Sequence, residues 1–124
     1  MDKVKQYQTI SLQNKLAKAS NYEVVQMLFE AAMQKMAAAE YAIKNENTAF
    51  KVTLINEAIA IIENLNANLN YEAGELAQNF HNLYQFILAN LVLANTKNSL
   101  PNLKNAFEVL QKIKEGWDGI KAKV

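Results

Sequence analysis

The sequence predicts an all-α protein: an antiparallel up-down-up-down four-helix bundle preceded by a short N-terminal leader segment. Three observations lead there. Apolar residues recur at alternating three- and four-residue steps through four long segments, the spacing that lines one face of an α-helix. Only three glycines and one proline interrupt the 124 residues, too few for the frequent turns of an all-β fold. The polar breaks between the periodic segments are short, so successive helices run antiparallel. A chain of this length forms one domain, residues 1–124, and its 51% hydrophobic content is enough for a single core.

Residues 1–19 form the leader, in which Val4, Tyr7 and Ile10 recur every third position, a pattern suited to a short helical or 3₁₀ piece. The first long helix is expected over 20–44. Ser20-Asn21-Tyr22-Glu23 opens it as a capping box, the serine serving the third amide and the glutamate reaching back to the cap amide. Its seam is Tyr22, Val25, Phe29, Ala32, Met36, Ala39 and Ile43, and the polar Asn45-Glu46-Asn47 ends it. The second helix, over 48–70, carries a seam of Val52, Ile55, Ile59, Ile62 and Leu69 beside another of Leu54, Ala58, Ile61 and Leu65. The third, over 74–97, opens near Gly74 and sets Leu76, Phe80, Leu83, Ile87 and Ala94 on one face, widened by Tyr84, Leu88 and Leu91. The fourth, over 100–119, takes Pro101 in its first turn and aligns Leu103, Ala106, Leu110, Ile113 and Trp117. Gly116 and Gly119 weaken its end, so it is expected to be somewhat shorter than the others and to fray.

A bundle helix needs an apolar stripe about 100° wide. The second and third helices carry two seams each. Either they are the central pair of the bundle, or part of their surface receives a partner's amphipathic segment.

Composition removes most chemistry. With no cysteine there are no disulfides, thiol nucleophiles or thiolate metal ligands, as suits a reducing compartment. The opening Met-Asp-Lys-Val-Lys-Gln-Tyr-Gln has no apolar stretch of the secretory kind, and no run approaches the ~18 apolar residues of a membrane span. A cytoplasmic location without membrane insertion is expected. All 13 basic residues are lysines, scattered among 12 acidic ones for a net charge of +1, so nucleic-acid binding is not expected.

His81 is the only histidine. Gln78, not a glutamate, stands three residues before it, which rules out a di-iron Glu-x-x-His site. Zinc would lack ligands. Phosphotransfer domains also carry a histidine on a four-helix bundle, usually followed by a nearby lysine and glycine; here Asn82, Leu83, Tyr84 and Gln85 follow. A helix-surface histidine is expected instead. Glu72 and Glu75 lie one turn apart at a predicted helix N-terminus, where the dipole favours acids. Neither a catalytic set nor a glycine-rich phosphate loop appears, and no enzyme, metal or cofactor is expected.

The strongest signal is an ordered set of residues along the whole chain. It runs from Tyr7-Gln8 through Ala19-Ser20 and Glu23-Val24-Val25-Gln26-Met27-Leu28-Phe29-Glu30 to Ile55, Ala58, Ile61, Ile62 and Leu65. It continues with Glu72, Gly74-Glu75-Leu76-Ala77, Asn79, Leu83-Tyr84, Leu91 and Ala94-Asn95, and closes on Val109-Leu110 and Trp117. This set resembles the flagellin-specific export chaperones of bacteria. The chain departs from the family at Asn21, usually proline, at Ala31, usually glycine, and at Ala73-Gly74, usually a glycine pair.

The resemblance implies a monomeric cytoplasmic chaperone for a type III secretion pathway. Such a protein binds the disordered C-terminal segment of flagellin, prevents premature polymerisation and aids delivery to an export gate component. It also implies a binding groove on the doubled seams, at Leu54, Ile61, Leu65, Tyr84, Ile87, Leu88 and Leu91, with Val4, Tyr7 and Ile10 of the leader lying over it as a displaceable lid. The alternatives are a phosphotransfer domain using His81 and a generic helical adaptor.

Overall fold

Two of the helices end where the sequence supplies a residue in the left-handed conformation. The computed structural model describes residues 21–69 and 74–122. In it α1 spans Asn21–Lys44, α2 Thr48–Ala67, α3 Glu75–Lys97 and α4 Leu100–Ala122, with no strand among the described residues. The Ser20 cap, residues 70–73 and the leader with Val4, Tyr7 and Ile10 lie outside the described residues. At the end of α1, Glu46 adopts φ 56°. The Asn47 N–H donates to the Ala42 carbonyl at 2.9 Å and the Glu46 N–H to that of Ile43 at 3.1 Å, a Schellman turn. Asn47 Oδ1 then accepts the Phe50 N–H at 3.2 Å and caps α2. The same device recurs after α3. Asn98 is left-handed at φ 51°, and the Ser99 N–H donates to the Ala94 carbonyl at 3.2 Å. Ser99 Oγ accepts the Asn102 N–H at 3.3 Å and starts α4.

Five cross-helix contacts fix the direction of the packing. Lys35 of α1 pairs with Glu57 of α2 at 2.5 Å. His81 of α3 meets Asn66 of α2 at 2.8 Å, while Asn95 of α3 donates to Asn56 of α2 at 3.2 Å. Asn102 of α4 donates to Asn90 of α3 at 3.0 Å. Tyr22, at the start of α1, stacks on Trp117, near the end of α4. Every neighbouring pair is therefore antiparallel, and the helices close in the order α1–α2–α3–α4 with α4 back against α1. The four-helix bundle is the fold.

The core is one layer through the middle of these helices. Phe29, Met36, Ile55, Ile62, Ile87, Leu91 and Leu110 are fully enclosed, and Ala32, Ala39, Ala58, Ala94 and Ala106 let the backbones approach between them. The buried faces of α1 and α4 match the seams read from the sequence. Those of α2 and α3 do not. The buried stripe of α2 is Leu54, Ile55, Ala58, Ile62 and Leu65, straddling both expected seams, with Val52 at its exposed edge. In α3 the buried apolar residues are Ala77, Tyr84, Ile87, Leu91 and Ala94, and the expected core positions Leu76 and Leu83 are outside, 52% and 39% exposed. Where apolar residues surround most of a helix, periodicity leaves its rotation undetermined and packing decides. The fourth helix is also longer than expected. It runs 23 residues through both glycines, the same length as α3.

Lys51 was not singled out by the sequence pattern, yet it is 3% exposed. Its Nζ donates to the Asn95 carbonyl at 2.6 Å. That carbonyl lies in the last turn of α3, where helix geometry leaves no amide partner and the dipole favours a cation. Lys51 therefore ties the start of α2 to the end of α3. Lys51→Met keeps the aliphatic stem and removes the donor, and should lower stability by about 1–2 kcal/mol. Urea unfolding should read this as a lower midpoint with an unchanged slope.

Candidate functional site

Antiparallel order brings the N-terminal turns of α1 and α3 to the same end of the bundle as the C-terminal turns of α2 and α4. There the core layer gives way to a cavity of about 510 Å³. Val24, Val25, Leu28 and Phe29 of α1 form one wall, and Asn64, Leu65 and Asn68 of α2 with Leu69 form the next. Leu76, Ala77, Phe80 and Tyr84 line it from α3, and Trp117 from α4. Among the described residues none of the lining side chains is charged. The two asparagines bond each other, Asn68 Nδ2 lying 2.8 Å from both Asn64 Oδ1 and the Asn64 carbonyl. What remains facing the space is mostly apolar. It can take several aliphatic side chains of a partner and offers no chemistry for bond making or breaking. Among the described residues no His, Asp or Glu cluster could hold a metal.

Aromatic rings frame the cavity. Tyr22 stacks on Trp117 with ring centres 5.2 Å apart and 10° between planes; Phe29 meets Trp117 edge-on at 6.1 Å. Phe80 and Tyr84 stack at 6.4 Å. Outside the Tyr22–Trp117 pair lies a polar strap. The Tyr22 hydroxyl is 3.3 Å from both the Trp117 carbonyl and Asp118 Oδ1, and Lys114 Nζ pairs with Asp118 Oδ2 at 2.9 Å. The bond from Lys114 holds the Asp118 carboxyl below its ordinary range and the same bond raises Lys114. The Asp118 contribution is thus complete above the ordinary carboxylate value and is lost only as pH falls through the lowered one. At neutral pH the strap is intact.

Two buried polar atoms beside this strap have no partner: Trp117 Nε1, a donor, and Gln26 Oε1, an acceptor. Gly116 is also unexplained by packing. A Cβ built there would meet nothing within 4 Å, although glycine inside a helix costs about 1 kcal/mol relative to alanine.

The residues expected to form a groove are spread over the bundle. Leu65 and Tyr84 stand in the cavity wall. Leu54, Ile87 and Leu91 are in the core, at 5%, 0% and 0% exposure. Ile61 is half-buried and lies one turn beyond Glu57, on the flank of α2 that faces α1. Leu88 is half-buried midway between His81 and Asn95, on the flank of α3 that faces α2. The structure does not bring these seven together on one surface. It adds Val24, Leu28 and Phe80 at the cavity. Its outer face on α3 carries exposed Leu76, Leu83, Phe86, Val92 and Leu93. The consecutive apolar pairs Val24-Val25 and Leu28-Phe29, wider than one seam and at the same bundle end as Trp117, were the available signal.

Burial pushes the Tyr84 phenol from 10.0 up to about 12. The fold favours the neutral ring, so its contribution is complete below pH 10.0 and is lost as pH rises through about 12. Two units correspond to roughly 2–3 kcal/mol. Stability measured between pH 9 and pH 12 should fall in the native chain, and Tyr84→Phe should remove that part of the slope.

The sequence matches the family described as Flagellar protein FliS over residues 3–124. It is 37% identical over 121 residues to flagellar secretion chaperone FliSB of Pseudomonas aeruginosa, covering 97% of this chain and 96% of that protein. Against flagellar secretion chaperone FliS of Vibrio cholerae the identity is 31%, over 92% of this chain and 85% of the relative. For the FliS of Salmonella typhimurium it is 30%, over 97% and 90%.

Proposed function

The chain belongs to the FliS family of flagellar chaperones, which are not enzymes, and from that premise we propose that it binds the C-terminal segment of flagellin in the cytoplasm. Holding that segment prevents premature polymerisation and presents it to a component of the flagellar type III export gate. The observation that carries this reading is the uncharged, apolar cavity of about 510 Å³ open at one end of the bundle, continued along α3 by Leu76, Leu83 and Phe86. A disordered segment that becomes an amphipathic helix on binding supplies the apolar side chains this surface lacks. Leu65 and Tyr84 contact it from the cavity wall, with Ile61 and Leu88 on the adjoining flanks. Leu54, Ile87 and Leu91 support that wall from within the core and meet the partner only where the helices part.

The leader competes for the same surface. It directly precedes α1 in sequence, and the first turns of α1 place Val24 and Leu28 in the cavity wall. Burying the leader's Val4, Tyr7 and Ile10 gains about 2–4 kcal/mol, and ordering the segment costs ~1 kcal/mol or more per residue. The ordering cost summed over the segment exceeds that gain, so the leader holds the surface only weakly and flagellin displaces it.

Co-purification with flagellin retaining or lacking its C-terminal segment tests the function: only the former should be carried along, in a one-to-one complex. Calorimetry with the isolated peptide should give a negative heat-capacity change and little salt dependence, since the cavity has no charge. Failure of the peptide to bind at micromolar concentration would discard the reading. Leu76→Asp, at an exposed position, should leave the helical content intact and weaken binding by about tenfold or more. Deleting residues 1–10 should leave the bundle folded and change affinity by no more than about tenfold. A Tyr7 NMR signal unmoved by peptide would dismiss the lid.

A further inference from the structure

Among the described residues the cavity is walled by three helices through several side chains each, and by the fourth through Trp117. Three independent features show that this wall is weakly seated. First, the Trp117 indole N–H is buried against its neighbours with no acceptor, and Gln26 Oε1 is buried with no donor. Both would recover hydrogen bonds if the contact parted. Second, the Tyr22 hydroxyl of α1 lies 3.3 Å from both the Trp117 carbonyl and Asp118 Oδ1, at the long end for a hydrogen bond, whereas the shorter Lys114–Asp118 bond is internal to α4. Third, Trp117 and Asp118 are bracketed by Gly116 and Gly119 within one helix. The space a methyl group would need at Gly116 is empty, so nothing in the closed bundle calls for glycine there.

A helix interrupted by glycine without a packing reason unwinds there more readily than elsewhere. We infer that the end of α4 from Gly116 onward is a hinged gate on the cavity. Trp117 closes it by stacking on Tyr22, and the turn swings outward to admit the partner segment. Opening releases the unpaired indole N–H and the Gln26 carbonyl oxygen to water or to the incoming chain. The main core is untouched, because the fully buried α4 residues Leu103, Ala106 and Leu110 all precede the hinge. This rests on the cavity being the site for the flagellin segment, and adds how entry to it is controlled.

The test uses the full chain, the flagellin C-terminal peptide and Trp117, the only tryptophan, as its fluorescent reporter. Gly116→Ala, and Gly116→Ala with Gly119→Ala, should stabilise the closed helix. Melting temperature should rise while the peptide association rate falls, by about fivefold for the single variant and more for the double. In the native chain, peptide addition should change the exposure of Trp117 to acrylamide at the same rate as binding. If the variants melt higher but associate at the native rate, or if Trp117 quenching is unchanged in a saturated complex, the gate is overturned and the binding function stands. If calorimetry detects no binding to the native chain, both fall. Should the double variant misfold by circular dichroism, the single one, whose added methyl meets empty space, decides the matter.

Discussion

Everything in this bundle depends on one close-packed layer in which bulky side chains alternate with alanine. Ala32 and Ala39 of α1, Ala58 of α2, Ala94 of α3 and Ala106 of α4 are completely buried. They bring the backbones near enough for Phe29, Met36, Ile62, Ile87 and Leu110 to interdigitate. The layer sets the helix rotations, and the rotations decide which apolar residues remain outside. It runs out at one end, where Leu28, Phe80 and Trp117 are large, only partly buried, and spread around a circumference they do not fill. The cavity is the place where the packing pattern stops.

The α2–α3 contact serves a different purpose. It contains Lys51 on the Asn95 carbonyl, Asn56 on Asn95, and Asn66 on His81. Hydrogen bonds contribute little net free energy when made, but a buried group left without a partner is expensive. A one-turn slip between α2 and α3 would separate all three contacts, while an apolar seam would tolerate it better. The polar contacts therefore fix register, and with it the depth at which Leu65 faces Tyr84. His81, the residue a phosphotransfer role would need, has its Nδ1 engaged in this seam.

Much of the architecture was legible in the residues. The strict three-four spacing in α1 gave its buried face, and Asn45-Glu46-Asn47 and Asn98-Ser99 gave the turns, since such residues tolerate left-handed backbone or cap a following helix. Resemblance along the chain gave the family. The rotation of α2 and α3 was not legible. Leu83 and Tyr84, or Ile61 and Ile62, are equally apolar neighbours, and only the facing helices decide which goes inside. Lys51 was hidden for the same reason: a lysine reads as a surface residue until a carbonyl from another helix is brought to it. The cavity was legible only in outline, through apolar residues in excess of one stripe. The stacking of Trp117 on Tyr22 joins the two ends of the chain, a contact that local propensity does not include.

The tight turns after α1 and α3 have a consequence for how the chain acquires its structure. Each joins two helices that are neighbours in sequence, so each hairpin forms from contacts that close only short loops. During synthesis α1 and α2 are complete before α4 exists. Until then Ile55 and Ile62 have a partner only in α1 and remain open on the other side. Docking of the second hairpin covers them, and the contact between the first turn of α1 and the last turns of α4, the most distant in sequence, closes latest. The part of the protein that finishes folding last is thus the end that holds the cavity, which is also the part that can reopen with the least disturbance to the rest.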